Sequence, residues 1–331
     1  MGGVMVLVIA LIGLVVVLAL VGGAQGRSIT TGSGVEFREV TIRGEASWAK
    51  VACIPVSGLI IGSPMPGTEL TPTAIFSEQL RMAREDQAVV AVLLYIDSPG
   101  GSITAADIMY EEIKRFRTET GKPVVACLMD VAASGGYYVA AGCDAIVAHP
   151  TTVTGSIGVL VSSYDASGLL EKIGIEDRSV ASGEYKQMLS YTTRRTEQER
   201  ARDMALLRAI VMAMKDRFVT VVDEGRKDLN REQVEALADG RIFTAQQALD
   251  HKLIDAIGYE HDAVAGVAKL AKKTNVRLVQ YQRPPSVRDL LFGRVQAPEI
   301  RLELGDSLLL TRSPMPMYLW SPGAGGPHTA P

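Results

Sequence analysis

Ser134 lies in the run Val131-Ala-Ala-Ser-Gly-Gly-Tyr-Tyr138, where a strand-like stretch gives way to small residues just ahead of a helix-like one. A serine at such a junction is ordinarily a helix cap. It is also where a nucleophile profits, because the unpaired N–H groups and the dipole of a helix start stabilise negative charge. The run is not the G-x-S-x-G elbow, since residue 132 is alanine, so an α/β-hydrolase is not supported. A second junction reads Tyr95-Ile-Asp-Ser-Pro-Gly-Gly-Ser102. Pro99 fixes φ and stops a sheet ladder, while Gly100 and Gly101 admit backbone conformations closed to other residues. Exposed N–H groups in such a turn can hold an anion or a developing oxyanion. Taken alone, it is a strand-to-helix turn. Neither G-x-G-x-x-G nor a Walker pattern is present, which argues against dinucleotide or nucleotide phosphate binding.

A nucleophilic serine needs a base, and the chain has only four histidines, His149, His251, His261 and His328. His149 precedes Pro150 with no evident carboxylate to orient it, His251 and His261 fall at surface helix ends, and His328 is in the tail. A Ser-His-Asp triad is poorly supplied. The other base is lysine, whose amine must be neutral and therefore desolvated or set beside another cation. Residue chemistry alone does not select which lysine.

The elements that must position these groups alternate. Strands are expected at Val51–Ile61, Val89–Ile96, Val124–Met129 and Ala145–Ala148, and helices at Ala74–Arg84, Ile103–Phe116 and Ser134–Gly142. Such alternation implies parallel pairing and a buried sheet. Thr196-Glu-Gln-Glu199 is a capping box that opens a long amphipathic helix to about Val222, and Thr244-Ala-Gln-Gln247 opens another.

The 331 residues, 47% hydrophobic and 21% charged, exclude disordered, collagen-like and disulfide-scaffold classes. A net charge of −3 leaves no electrostatic footprint for nucleic acid. Cys53, Cys127 and Cys143 have neither zinc nor disulfide-framework spacing and read as small buried hydrophobes. Residues 1–26 contain no charged side chain and fit a transmembrane anchor better than a cleaved signal peptide, which would start basic and be shorter. Arg27, Arg38 and Arg43 just beyond it, taken literally, would keep the following domain cytoplasmic. Residues 27–47 read as a stalk, 48–275 as the α/β domain, and 276–331 as a Pro/Gly-rich extension. That extension is expected either to be poorly ordered or to dock on membrane, neighbouring subunit or active groove.

Four motifs in order, Asp97-Ser-Pro-Gly-Gly101, Ala133-Ser-Gly-Gly-Tyr-Tyr138, Thr154-Gly-Ser-Ile-Gly158 and Ser182-Gly-Glu-Tyr-Lys186, make residues 48–275 resemble the signal peptide peptidase A (SppA) family. That family comprises membrane-anchored serine proteases with a Ser/Lys dyad. The resemblance implies a ClpP/crotonase-like superhelix of ββα units with a parallel sheet. It makes Ser134 the nucleophile, Lys186 the general base and Ser156 the hydroxyl that orients the lysine. Backbone N–H groups of Gly100, Gly101 and Gly135 would form the oxyanion hole. Gln187 departs from the family's usual residue after the lysine, outside the dyad. No cofactor and no metal are implied. Peptide substrates such as signal-peptide remnants, an octameric ring with sites shared between subunits, and an extracytoplasmic domain are. The alternatives are a Clp-type protease, a crotonase-like acyl-CoA enzyme and a non-catalytic membrane scaffold. A Clp-type protease would need a histidine about two dozen residues after Ser134, and the neighbours of Val159 supply none.

Overall fold

The stretch Val89–Ser98 has no polar face, so it must be covered on both sides, and that requirement organises the molecule. A computed structural model describes residues 27–30, 36–44, 47–64, 70–283 and 317–319. Strands are β1 (Arg27–Thr30), β2 (Glu36–Arg43), β3 (Lys50–Ser57), β4 (Val89–Ser98), β5 (Gly100–Ser102) and β6 (Val124–Ala133). They continue with β7 (Ala145–Ala148), β8 (Val153–Gly155), β9 (Ile242–Thr244), β10 (Ala256–Ile257), β11 (Arg277–Gln282) and β12 (Met317–Leu319). Helices are α1 (Pro72–Glu85), α2 (Ile103–Thr120), α3 (Gly135–Ala140) and α4 (Ser167–Lys172), then α5 (Glu197–Gly225), α6 (Arg231–Leu237), α7 (Ala245–Asp250) and α8 (Glu260–Leu270).

The main sheet runs β1-β2-β11-β3-β4-β6-β7-β10, parallel from β11 to β10, with β2 and β1 added antiparallel at one edge. Alternate residues of β4 enter two cores. Val92, Leu94 and Ile96 face Phe76, Leu80, Met109, Ile113 and Phe218 from α1, α2 and α5. Ala91 and Leu93 face the other way, with Cys53, Cys127 and Ala263 and Val267 of α8. Period-two burial on both faces explains why the strand reads as an unbroken apolar run.

Local chemistry ends each element where the turns require. Thr71 caps α1, accepting from Ala74 N–H at 3.0 Å, with Pro72 in the first turn. Ser102 caps α2, which closes on Gly121 in the left-handed region (φ 65°). The boxes at Thr196/Glu199 and Thr244/Gln247 both form, as their spacing predicts.

β6 divides the sheet. Its first half, Val125–Leu128, pairs with β7, and its last residues, Val131–Ala133, pair instead with β8. The strand therefore ends between β4 and β8 rather than beside β7.

The sheet also extends past the bounds read from sequence. Residues 27–30 and 36–43, expected as stalk, form its antiparallel edge, and β11 lies beyond residue 275 yet pairs parallel with β3. An edge strand needs little apolar surface, and in β2 only Phe37 is fully buried. Residues 1–26, the expected anchor, lie outside the described residues. Among the described residues no helix is long and apolar enough to cross a membrane.

All three cysteines are free and buried. Burial pushes the Cys53 thiol up to about 12 and the Cys127 thiol up to about 11, and raises Cys143 as well. At pH 8 roughly a thousandth or less of Cys127 would be thiolate, and the thiolate is the reactive form. A chromogenic disulfide reagent at pH 8 is therefore expected to titrate no thiol in the native protein and three after guanidinium unfolding. Rapid labelling of the native protein would contradict the buried placement.

Candidate active site

Because β6 stops between β4 and β8, the residue after it emerges at a three-strand junction. That residue is Ser134, at φ 54° and ψ −117°, a conformation that favours glycine. Holding a non-glycine residue there costs on the order of 1–3 kcal/mol unless its surroundings impose it. They do. The Ser134 N–H donates to Gly155 O at 2.8 Å, and Tyr138 N–H donates to Ser134 O at 2.9 Å. Behind the serine, α3 is pinned by its two tyrosines. Tyr137 donates to Leu253 O at 2.7 Å, and Tyr138 bonds Asp107 while its ring meets Tyr110 edge-on at 5.6 Å. A Cβ on Gly136 would fall 2.7 Å from Ser98 O, so glycine is what lets α3 start this close to β4. Ser134 is buried, and its side chain makes no capping bond. The ordinary role of a serine at a helix start is thus not the one it plays.

Ser156 mirrors Ser134. It follows β8 as Ser134 follows β6, and β6 and β8 are in register with Ala133 opposite Gly155. Its φ is also positive, 51°, and its N–H donates to Arg241 O at 2.8 Å. The two serines therefore leave neighbouring strand ends side by side.

The glycine turn closes the other wall. Ile60 sits beside β5: its N–H donates to Gly100 O at 2.9 Å, and Ser102 N–H donates to Ile60 O at 2.7 Å. A Cβ on Gly101 would stand 2.2 Å from Ile60 O. Since Gly100 O and Ser102 N–H point to Ile60, the N–H and C=O of Gly101 point to the opposite edge. Gly100 N–H donates to Ser98 Oγ at 3.1 Å, and that hydroxyl donates to Gly58 O at 2.6 Å. Gly135 opens α3, so its N–H has no intrahelical acceptor. Ser98, hidden in the sequence beside a proline, thus sets the turn's shape.

Lys186 stands apart from these groups. It lies on an exposed turn whose N–H donates to Gly183 O at 3.1 Å, and among the described residues no hydrogen bond links it to Ser134 or Ser156. The turn belongs to an arm, residues 158–196, with a tight internal network. Hydroxyls of Ser179, Thr192 and Thr193 and the Ser179 N–H hold the Asp177 carboxyl far below the usual carboxylate range. At the arm's base Arg195 pairs with buried Asp203 at 2.6 Å. Arg202 of α5 grips the turn itself, ion-paired with Glu184 and lying 4.6 Å over the Tyr185 ring. The sequence gives no sign of this clamp, which joins residues 18 apart.

The described side chains offer no group of three or more His, Cys, Asp or Glu able to hold a metal. The arrangement of a strained serine, the N–H groups of Gly101 and Gly135 and a strand edge suits attack on an extended peptide carbonyl.

Comparison with known proteins points the same way. The model of peptidase family S49 matches residues 117–274, and that of Clp protease matches residues 66–152. A protein of Enterococcus faecium named for signal peptide peptidase SppA is 36% identical over 280 residues, covering 81% of this chain and 80% of that one. A Synechocystis protein named as a protease is 37% identical over 246 residues, covering 71% and 86%. Protease 4 of Salmonella typhi is 35% identical over 243 residues, 73% of this chain but 38% of its own. With its mixed α/β fold, its parallel sheet and its Clp-protease-like domain, the chain belongs to peptidase family S49 and is a serine protease.

Proposed function

We propose that Ser134 attacks the peptide carbonyl and that Lys186, brought by a neighbouring copy of the chain, is its general base. The observation that carries the reading is the serine itself: buried, held at positive φ, and uncapped at a helix start beside the edge of β5. The neutral lysine amine takes the hydroxyl proton as Oγ bonds to the carbonyl carbon. The resulting oxyanion is held by the N–H groups of Gly101 and Gly135. Gly100 is the third expected donor and joins only by giving up its bond to Ser98 Oγ. The lysine then passes its proton to the leaving amine, and the acyl ester is hydrolysed by a water that the same amine deprotonates. Ser156 orients the lysine with a hydroxyl, which adds no negative charge. A carboxylate in its place would favour the ammonium and disable the base.

Assembly is supported by what the arm leaves uncovered. α4 buries none of its residues, and Leu160, Tyr164, Leu169, Ile173 and Val180 are exposed. Apolar side chains in such number on one arm suit a surface between subunits. An octameric ring would pair each Ser134 with a neighbour's Lys186. In this reading residues 1–26 anchor the ring as a single-pass helix with the peptidase unit extracytoplasmic, against the weak arginine count. Substrates are membrane-derived peptides such as cleaved signal peptides.

The dyad is tested by mixing. Ser134→Ala and Lys186→Ala are each expected to reduce kcat at least 1,000-fold on a chromogenic peptide. Co-assembled in equal amounts they should recover about a quarter of wild-type activity, since half the serines and half the lysines are intact and pair across head-to-tail interfaces. No recovery would place serine and lysine in one subunit or remove Lys186 from the site. Activity is also expected to rise with pH, because a protonated amine accepts no proton. A maximum below about pH 6 would point to a carboxylate base. Finally, Ser134→Gly should be inactive yet more stable than Ser134→Ala by about 1 kcal/mol, read by urea unfolding, because glycine alone relieves the positive φ.

A further inference from the structure

The parallel strands β3, β4, β6, β7 and β11 all start at one end of the sheet, and Ser134 follows β6 at the other. β6 spans ten residues, so at ~3.3 Å per residue the two ends lie about 30 Å apart. The starting end carries a surface that the catalytic reading leaves unused. Trp48, just ahead of β3, is 83% exposed, so its indole has little protein to pack on. Its neighbours tie it to the turn after α8: Ser47 Oγ donates to Asn275 O at 3.0 Å, and Arg277 N–H donates to Ala49 O at 2.8 Å. That turn exposes Lys269, Leu270, Lys272 and Lys273. Leu270 also lines one concavity with Gly121, Lys122 and Pro123, which follow α2 at the same end. Among the described residues none of Lys269, Lys272 and Lys273 has an acidic partner. Asp86, Glu119 and Asp144 at this end are already paired, with Lys50, Arg84 and Arg117. The end therefore sets an exposed indole beside uncompensated positive charge.

The course of the chain indicates what covers it. β2 finishes at this end, with Arg43 opposite Leu278. β1 begins opposite Glu39 and runs to Thr30 opposite Glu36, away from it. The chain thus enters β1 from the Trp48 side, and the 26 residues before Arg27 carry no charged side chain. We propose that this end of the peptidase unit rests on an anionic phospholipid surface, with Trp48 among the headgroups and Lys269, Lys272 and Lys273 on their phosphates. The proposal rests on the reading of residues 1–26 as an anchor. It goes beyond that reading by naming the face of the folded unit that meets lipid. An indole suits headgroup depth, where its ring is shielded and its N–H stays wet. Lysines reach acidic headgroups while their alkyl stems cover apolar surface, and each adds roughly fivefold to partitioning on an anionic leaflet. Ser134 then opens away from the bilayer, so a peptide must leave the lipid to be cut.

The test uses the full chain, reconstituted in vesicles of phosphatidylcholine alone or with about one third phosphatidylglycerol, the choline lipid brominated to quench indole emission. Trp320→Phe leaves Trp48 as the only tryptophan. On the anionic vesicles at low salt, Trp48 emission is expected to shift to shorter wavelength and to fall by at least about half. Lys269→Gln/Lys272→Gln/Lys273→Gln should weaken the contact about 100-fold and restore the emission, as should about 0.5 M salt. Hydrolysis of a soluble chromogenic peptide should stay within about twofold in both proteins, because the exchanged residues are remote from Ser134. Emission unquenched on both kinds of vesicle would overturn the proposal. A blue shift without quenching would also overturn it, by placing a second copy of the chain over Trp48. Flotation on neutral vesicles in about 1 M salt tests the anchor separately. A protein that fails to float, yet whose Trp48 is quenched by added anionic vesicles, loses the anchor and keeps the lipid face. One that floats with Trp48 unquenched keeps the anchor and loses the face.

Discussion

The strained backbone at Ser134 is the constraint on which the rest of the site depends. A residue at φ 54° and ψ −117° is kept there only if the alternatives are worse. Three pieces of the fold remove them. The change of partner along β6, from β7 to β8, supplies Gly155 O as the acceptor that turns the serine N–H inward. The glycine at 136 allows α3 to press against Ser98, and the tyrosines at 137 and 138 tie that helix to Leu253 O and Asp107. Tyr138 also joins Tyr110 and Phe218, so α2 and α5 both hold α3 in place behind Ser134. Each tyrosine combines a buried ring with a satisfied hydroxyl.

Lys186, the base under the proposed function, obeys a different logic. A serine can be fixed by the core, but a lysine must be delivered dry and uncharged, and a surface arm cannot dry it. The arm is internally ordered around Asp177 and clamped by Arg202, so Lys186 is held at a definite place on the arm without being held at the serine. Under the proposed function, this separation of Lys186 from Ser134 leaves an unassembled copy without its base.

The sequence makes Ser134 and the glycines around it legible because their types have backbone consequences. Proline and paired glycines at a strand end announce a turn, and small residues before a helix announce a close approach. The alternation of β3, β4, β6 and β7 is legible because burial on both faces leaves continuous apolar runs. β2 and β11 are not. They are strands at or near an edge, with Arg38, Glu39, Arg277 and Gln280 in them, and their polarity reads as linker. Ser98 is invisible because its task is to bond Gly58 O and Gly100 N–H, which no side-chain period records. The Arg202 clamp and the Ile60 edge depend on distant residues meeting, and composition carries nothing of that. Lys186 enters only through the family resemblance. Among so many solvated lysines, residue chemistry gives no reason to prefer it.

β12 extends this to its limit. A strand that binds by backbone alone needs no particular side chains, so three residues in a Pro/Gly-rich tail carry no signal of pairing. What predicts the contact is the receptor. β5 is short and glycine-rich, with Ile60 on one edge, and Gly101 points its N–H and C=O to the other, where Met317–Leu319 pairs. That edge pairs by backbone, so it takes an extended segment with little regard to its side chains, and β12 is the segment it holds. Edge pairing at β5 and the strained backbone at Ser134 are thus separate features of the fold, one set by main-chain hydrogen bonding and the other by the packing of α3.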